Sequence, residues 1–247
     1  MLNGEFESAK AMHAATPDFI PAPIAFDRFR APSPATYFYM SEFVDMDVTS
    51  VPDPDEFGGR LARLHKASQS PNGKFGFHVT TCDGDRAQVV GWQDSWATFY
   101  RDMLLGVYAR DMKRNGPWPE YELAMEQIVD KVIPRLLGNL SNDQGQPIKP
   151  CIIHGDLWDG NVGLRNANGA SILFDAGSFY GHNEMELGAW RCEYTDVFWG
   201  KEYTEACLRH YPAAEPAEEF DDRNRLYSLK GVINYSGGHT GSLLRKT

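Results

Sequence analysis

Between Cys151 and Asp175 the chain carries three apolar runs of only three or four residues, CII, VGL and SILF, separated by loops too short to hold a helix. Strands that short cannot form a stable sheet by themselves and must be covered by the elements around them. Those elements read as helices. Asp53 and Pro54 supply an N-cap and a pre-set first turn, after which Phe57, Leu61 and Leu64 share one face, predicting a helix over 54–68. Trp96, Phe99, Tyr100, Met103, Leu104 and Val107 keep helical spacing up to a stop at Asn115, Gly116 and Pro117. A third helix is expected over 119–137, with Tyr121, Met125, Ile128, Val129 and Val132 inward and a kink at Pro134. Helical signals resume near Glu184 and continue to the C-terminus, interrupted around Pro212 and Pro216. The expected fold class is α+β, mostly helical with a small embedded β cluster whose connecting loops carry the chemistry.

Residues 4–15 can form a short helix, whereas the five prolines of 17–34 exclude one and read as a connector. TYFYMSEF (36–43) reads as a buried strand, and residues 70–92 read as an ordered loop with a short hairpin. With 247 residues and 42% hydrophobic content, the chain can bury a substantial core. Its 24 basic and 34 acidic residues are scattered and sum to a net charge of -10, which argues against a nucleic-acid partner. The four cysteines have no paired spacing with each other or with the seven histidines, so they read as free structural thiols rather than zinc ligands. No apolar run approaches the ~20 residues of a membrane span, and the N-terminus lacks the pattern of a secretory signal. The expectation is a cytoplasmic protein without a membrane partner.

The loops themselves point to phosphoryl transfer from a nucleotide. In HGDLWDGN (154–161) the spacing H-x-D-x-x-x-x-N equals that of the kinase catalytic loop, and SILFD ends a strand on a second acid, Asp175. Such chemistry needs an aligned hydroxyl, held phosphates and charge met by metal. Asp156 would accept the proton of the attacking hydroxyl. Asn161 and Asp175 would hold Mg2+ against the phosphates of ATP through oxygen ligands, which that ion prefers. His154 reads as an organiser of the loop. Glu186, beyond Asp175, reads either as a brace for it or as a solvent-facing helix start.

HGDLWDGNVG, FDAGSFYGHNEMELG, and KFGFHVTTCDG followed by GWQDSWATFY resemble the fructosamine 3-kinase family, also called ketosamine or protein-ribulosamine 3-kinases. The resemblance runs from GEFESAKAM to INYSGGHTGS and places the chain in the kinase-like group that includes aminoglycoside and choline phosphotransferases. It implies ATP-dependent phosphorylation of the 3-hydroxyl of a fructosyl or ribulosyl amine, on glycated proteins or small ketosamines, with deglycation as the outcome. It also implies that Glu42, Phe43 and Val44 form the hinge contacting adenine, and that His182 supports the site. Trp158 could stack on the sugar or anchor the loop to the core.

Two departures stand out. The family usually carries Asp-Pro at the metal-binding acid, and here it is Asp175-Ala176. Glu5 matches the helix Glu that a kinase pairs with a strand Lys, yet no glycine-rich strand pair and no strand Lys precede it. Residues 1–43 then read as a remnant of the N-terminal lobe and 44–247 as the helical catalytic lobe. Three functions follow: a fragment of an active ketosamine kinase, a phosphotransferase for another hydroxyl compound such as an aminoglycoside, or a short form that binds with little turnover.

Overall fold

The computed structural model describes residues 1–30, 33–192 and 194–241. In chain order they form α1 (Leu2–Ala15), β1 (Pro23–Arg28), β2 (Tyr37–Ser41), β3 (Met46–Asp47) and α2 (Pro54–Ala67). The hairpin β4 (Cys82–Asp83) and β5 (Arg86–Ala87) precedes α3 (Trp96–Asn115), α4 (Pro119–Gln127), a π-helical turn at Ile128–Val132, and α5 (Ile133–Leu137). Then come β6 (Cys151–Ile153), β7 (Val162–Arg165), β8 (Ser171–Leu173), β9 (Phe179–Gly181), a 3-10 helix at Asn183–Arg191, α6 (Lys201–His210) and α7 (Phe220–Gly238).

The helices form where their end signals sit. The Asp53 carboxylate accepts from the Asp55 and Glu56 amides at 3.0 and 2.9 Å, and α2 then buries Phe57, Leu61 and Leu64. At Pro134, where a kink is expected, the helix continues, and a π turn at Ile128–Val132 precedes the proline. Proline removes the N–H that would bond a carbonyl one turn back, and the widened turn absorbs that loss. The helix expected to reach the C-terminus ends at Gly238, and residues 242–247, including the last residue of INYSGGHTGS, lie outside the described residues.

Two corrections concern the N-terminal segment. Residues 23–28, expected within a proline-rich connector, form β1, antiparallel to β2 from Ala25↔Met40 to Arg28↔Tyr37. Pro23 is tolerated because it opens the strand, where a bulge breaks the ladder. Strand β2 exists as expected but is not buried. Its sheet has two strands and packs on α1 through Phe6, which meets Phe26 and Tyr39, while Tyr37 stays 48% exposed.

The short strands pair as β6 with β9 and as a β3-β7-β8 sheet. The loop leaving β6 therefore enters β7, and the loop leaving β8 enters β9, so the two motif loops lie side by side. Helices α3 and α7, with α2 and α6, cover the cluster; Trp96, Phe99, Tyr100, Phe179 and Tyr227 fill the space between.

One buried ion pair ties the C-terminal half together. Arg223 on α7 donates from Nε and Nη2 to the Glu184 carboxylate at 2.7 and 2.9 Å, and both side chains are fully buried. Arg223 also reaches the Ala214 and Pro216 carbonyls at 2.8 Å, and Glu184 accepts from the Ala214 amide at 2.7 Å. Removing one partner strands a buried charge. Arg223→Met should destabilise the chain by about 3–5 kcal/mol, read as a lowered urea midpoint.

Candidate active site

The loop after β6 is held by its own backbone. The amides of His154 and Gly155 both donate to the Glu186 carboxylate, the second at 3.1 Å. Burial alone would raise that carboxyl, but the imidazoles of His65 and His154 and the loop amide hold it below the usual carboxylate range. Glu186 is thus the brace, not a solvent-facing residue. Gly155 has φ +80°, and a Cβ there would run into the Gly177 carbonyl of the neighbouring loop. His154 donates from Nε2 to the Phe174 carbonyl at 2.9 Å and accepts the Asp156 amide on Nδ1 at 3.3 Å. Burial lowers its pKa, in keeping with this neutral tautomer.

The acids and the amide of the motifs converge. Asn161 donates from Nδ2 to the backbone carbonyls of Asp156 at 2.8 Å and Asp175 at 3.5 Å, which leaves its Oδ1 for a ligand. Asp175 sits at φ +57°, the one left-handed non-glycine among the described residues, a strained conformation of the kind that gathers at ligand sites. Asp156, Asn161, Asp175 and Trp158 line one cavity of about 350 Å³. A slightly larger one, about 390 Å³, lies between the 3-10 helix, α6 and α7 and holds none of the motif residues.

Burial and the charge of Asp83 push the Asp156 carboxyl up to about 7, against the pull of Lys230. Burial, then the charge of Asp175, likewise pushes Glu5 up to about 7. Among the described residues no Lys or Arg reaches Glu5. Lys10 on the same helix pairs with Glu7 at 3.0 Å instead.

The remaining expected residues are distributed. Trp158 is 38% exposed at the cavity, its indole lying over Gly160; the anchoring bond comes from Trp190, whose Nε1 donates to the Leu157 carbonyl at 3.1 Å. His182 is buried away from this cavity, with Nδ1 2.9 Å from the Tyr227 hydroxyl and a pKa pushed by burial to about 4. Glu42 exchanges bonds with Ala22, its amide donating at 2.8 Å and its carboxylate accepting at 3.2 Å. Phe43 is 89% exposed, Val44 is buried, and neither they nor Glu5 line the cavity.

Sequence reasoning missed Asp83, Arg86, Tyr194, Lys230 and Tyr235. The hairpin β4–β5 is pinned to the loop after Asp175 by Gln88, whose Nε2 donates to the Gly177 carbonyl at 2.8 Å. Lys230 of α7 bonds Asp83 at 2.5 Å and the Gly155 carbonyl at 3.2 Å. The charged turn CDGDR was the only local signal, and no spacing rule joins it to α7.

The donor set fits a hard divalent cation. Asn161 Oδ1 and the Asp175 carboxylate offer oxygen donors on adjoining loops. Among the described residues no cluster of three His, Cys, Asp or Glu side chains could hold a metal alone, so phosphates and water would complete the Mg2+ shell.

Paired helical and short-strand elements with an H-x-D-x-x-x-x-N loop beside a strand-end Asp define a kinase-like phosphotransferase fold. Two solved structures share it. One is a Thermobifida fusca protein assigned as a fructosamine-3-kinase, with TM-score 0.74 and 21% identity over 100% of this chain and 76% of that one. The other is an aminoglycoside phosphotransferase in complex with AMP-PNP and hygromycin B, with TM-score 0.59 and 12% identity over 98% and 82%. The family profile of fructosamine kinases matches residues 1–246, and the chain belongs to that family. The chloroplastic protein-ribulosamine 3-kinase of Oryza sativa subsp. japonica is 29% identical over 240 residues, 95% of this chain. This chain spans 63% of that protein's length. Among the described residues no helix is long and apolar enough to cross a membrane.

The raised Asp156 pKa has a consequence for stability. Between the ordinary Asp value of 3.8 and about 7 the folded chain holds a proton that the unfolded chain releases, so stability falls as pH rises through that window. Asp156→Asn removes the penalty. Its urea midpoint should exceed that of the unsubstituted chain at pH 8, and the difference should vanish near pH 3.5.

Proposed function

We propose that the chain carries the catalytic loops of an ATP-dependent kinase that phosphorylates the 3-hydroxyl of ketosamines, fructosyl or ribulosyl amines on glycated proteins or small molecules, leading to deglycation. The observation that carries this reading is the convergence of Asp156, Asn161 and Asp175 on one cavity beside Trp158. With its pKa near 7, Asp156 is poised to take the proton of an attacking hydroxyl, since a base works best when its pKa lies near the operating pH. Asn161 and Asp175 would hold Mg2+, which when bound offsets the charge of the ATP phosphates. Trp158 offers a flat face to the C–H side of the sugar. Glu42–Val44 would serve as the adenine hinge, and 1–43 and 44–247 as the parts of an N-terminal and a C-terminal lobe.

One observation favours a second reading, nucleotide or ketosamine binding with little turnover. Glu5, which the resemblance matches to the helix Glu, is pushed up to about 7 by burial and Asp175 against the N-terminal ammonium, and has no Lys or Arg paired with it among the described residues. A kinase normally pairs that Glu with a Lys on the phosphates.

The deciding measurement is ADP release from Mg-ATP with and without fructosyl- or ribulosyl-lysine. Ketosamine-dependent release that falls by at least about a hundredfold in Asp156→Asn is the expected outcome for a kinase using that base. A folded chain that binds ATP by calorimetry but releases no ADP would leave the second reading standing.

A further inference from the structure

Arg86 stands out in the cavity wall because, among the described residues, its side chain makes two long ion pairs and no hydrogen bond. Its side chain is 20% exposed, and its Nε is buried without a partner. The nearest carboxylates, Asp83 and Asp85, lie 3.9 and 3.7 Å away, too far for hydrogen bonds, and Asp83 already takes Lys230 at 2.5 Å. A guanidinium presents five N–H donors in a fixed fork, and leaving them unmet in a partly buried wall is unfavourable. The fork matches two oxygens of one anion.

The guanidinium is also held in place. Its hairpin is fixed to the loop after Asp175 by Gln88, and its planar end lies against Gly238 at the end of α7, where a Cβ would overlap it. Beside it, Tyr194, Tyr235 and His239 stack in a row, with ring centroids 6.0 and 4.1 Å apart and planes within 14° and 22°. All three line the same cavity as Asp156 and Trp158. The other charges facing this cavity are Asp83, Asp156 and Asp175, so an anionic group on an acceptor is repelled everywhere except at Arg86.

We infer that Arg86 is the receptor for an anionic group on the acceptor, so that the preferred ketosamine is a glycated free amino acid presenting its carboxylate to the guanidinium. The aromatic row then carries the carbon skeleton, and the sugar hydroxyl is turned toward Asp156. A glycated lysine inside a protein has its carboxyl in a peptide bond and cannot make this contact. This inference rests on the ketosamine reading.

The test compares N-fructosyl-glycine with N-fructosyl-glycinamide, by kcat and KM in ADP release and by calorimetric binding without nucleotide. A preference of roughly tenfold for the carboxylate is expected, the size of one good charge-assisted contact. Arg86→Gln should erase it, with the loss falling on KM for the carboxylate compound, and Arg86→Lys should restore part of it. Gly238→Ala, which displaces the guanidinium without removing its charge, should erode the preference in the same direction. Equal use of both compounds by the unsubstituted chain overturns the inference, as does a preference untouched in Arg86→Gln. A rise in the KM for ATP in Arg86→Gln also overturns it, by showing that the guanidinium reads a nucleotide phosphate. If neither compound binds or is phosphorylated by the unsubstituted chain, the ketosamine reading itself fails, and Arg86 loses its assigned ligand with it.

Discussion

The buried carboxylate of Glu186 is the point on which the site depends. An ionised carboxylate in a protein interior is costly unless its lone pairs are met, and here they are met by the two amides that begin the HGDLWDGN loop. His65 on α2 stands 3.7 Å away, beyond hydrogen-bond distance but near enough to act electrostatically from the helical layer. The loop is therefore tied to the core by main-chain atoms, independent of the side chains that line the cavity. His154 completes the arrangement from the other side by bonding the Phe174 carbonyl, which joins the two motif loops.

Around Asp156 the electrostatics are balanced rather than merely acidic. Asp83 and Asp175 oppose its ionisation while Lys230 favours it, and Lys230 is itself spent on Asp83 and a loop carbonyl. A cation tied to two acceptors lowers the local negative charge without closing over Asp156. That leaves the carboxylate open to a hydroxyl and titrating near neutrality, a state that neither a free surface Asp nor a fully paired one would reach.

How much of this was legible varies with the range of the interaction. The helices at 54–68 and 96–115, and the three short strands, follow from local spacing and end signals, and they stand where those signals put them. The motif residues Asp156, Asn161 and Asp175 were legible because one loop spacing and one strand end bring them together. Strand β1 was obscured by its prolines, which local rules read as breakers although one of them opens the strand. The cavity wall was not legible at all. Asp83 and Lys230 lie 147 positions apart, and only the packing of the hairpin against α7 makes them neighbours. The brace role of Glu186 was one of two open readings, because a carboxylate at a helix start looks the same in sequence whether it faces water or a loop.

Helix α7 divides its labour along its length. Its first turns hold Arg223, locked to Glu184 in the interior, while Gly231, Asn234 and Tyr235 further along, and His239 just after its end, line the cavity. The far half is anchored too, since Ser236 donates to the buried Asp111 carboxylate at 2.7 Å and Asn234 accepts from Arg110 at 3.1 Å, so only the residues facing the cavity can change freely. Drift confined to Tyr235 and His239, which are exposed and face the cavity, would thus retune which molecules the cavity admits at little cost to folding, a route by which one scaffold can diversify without passing through unstable intermediates.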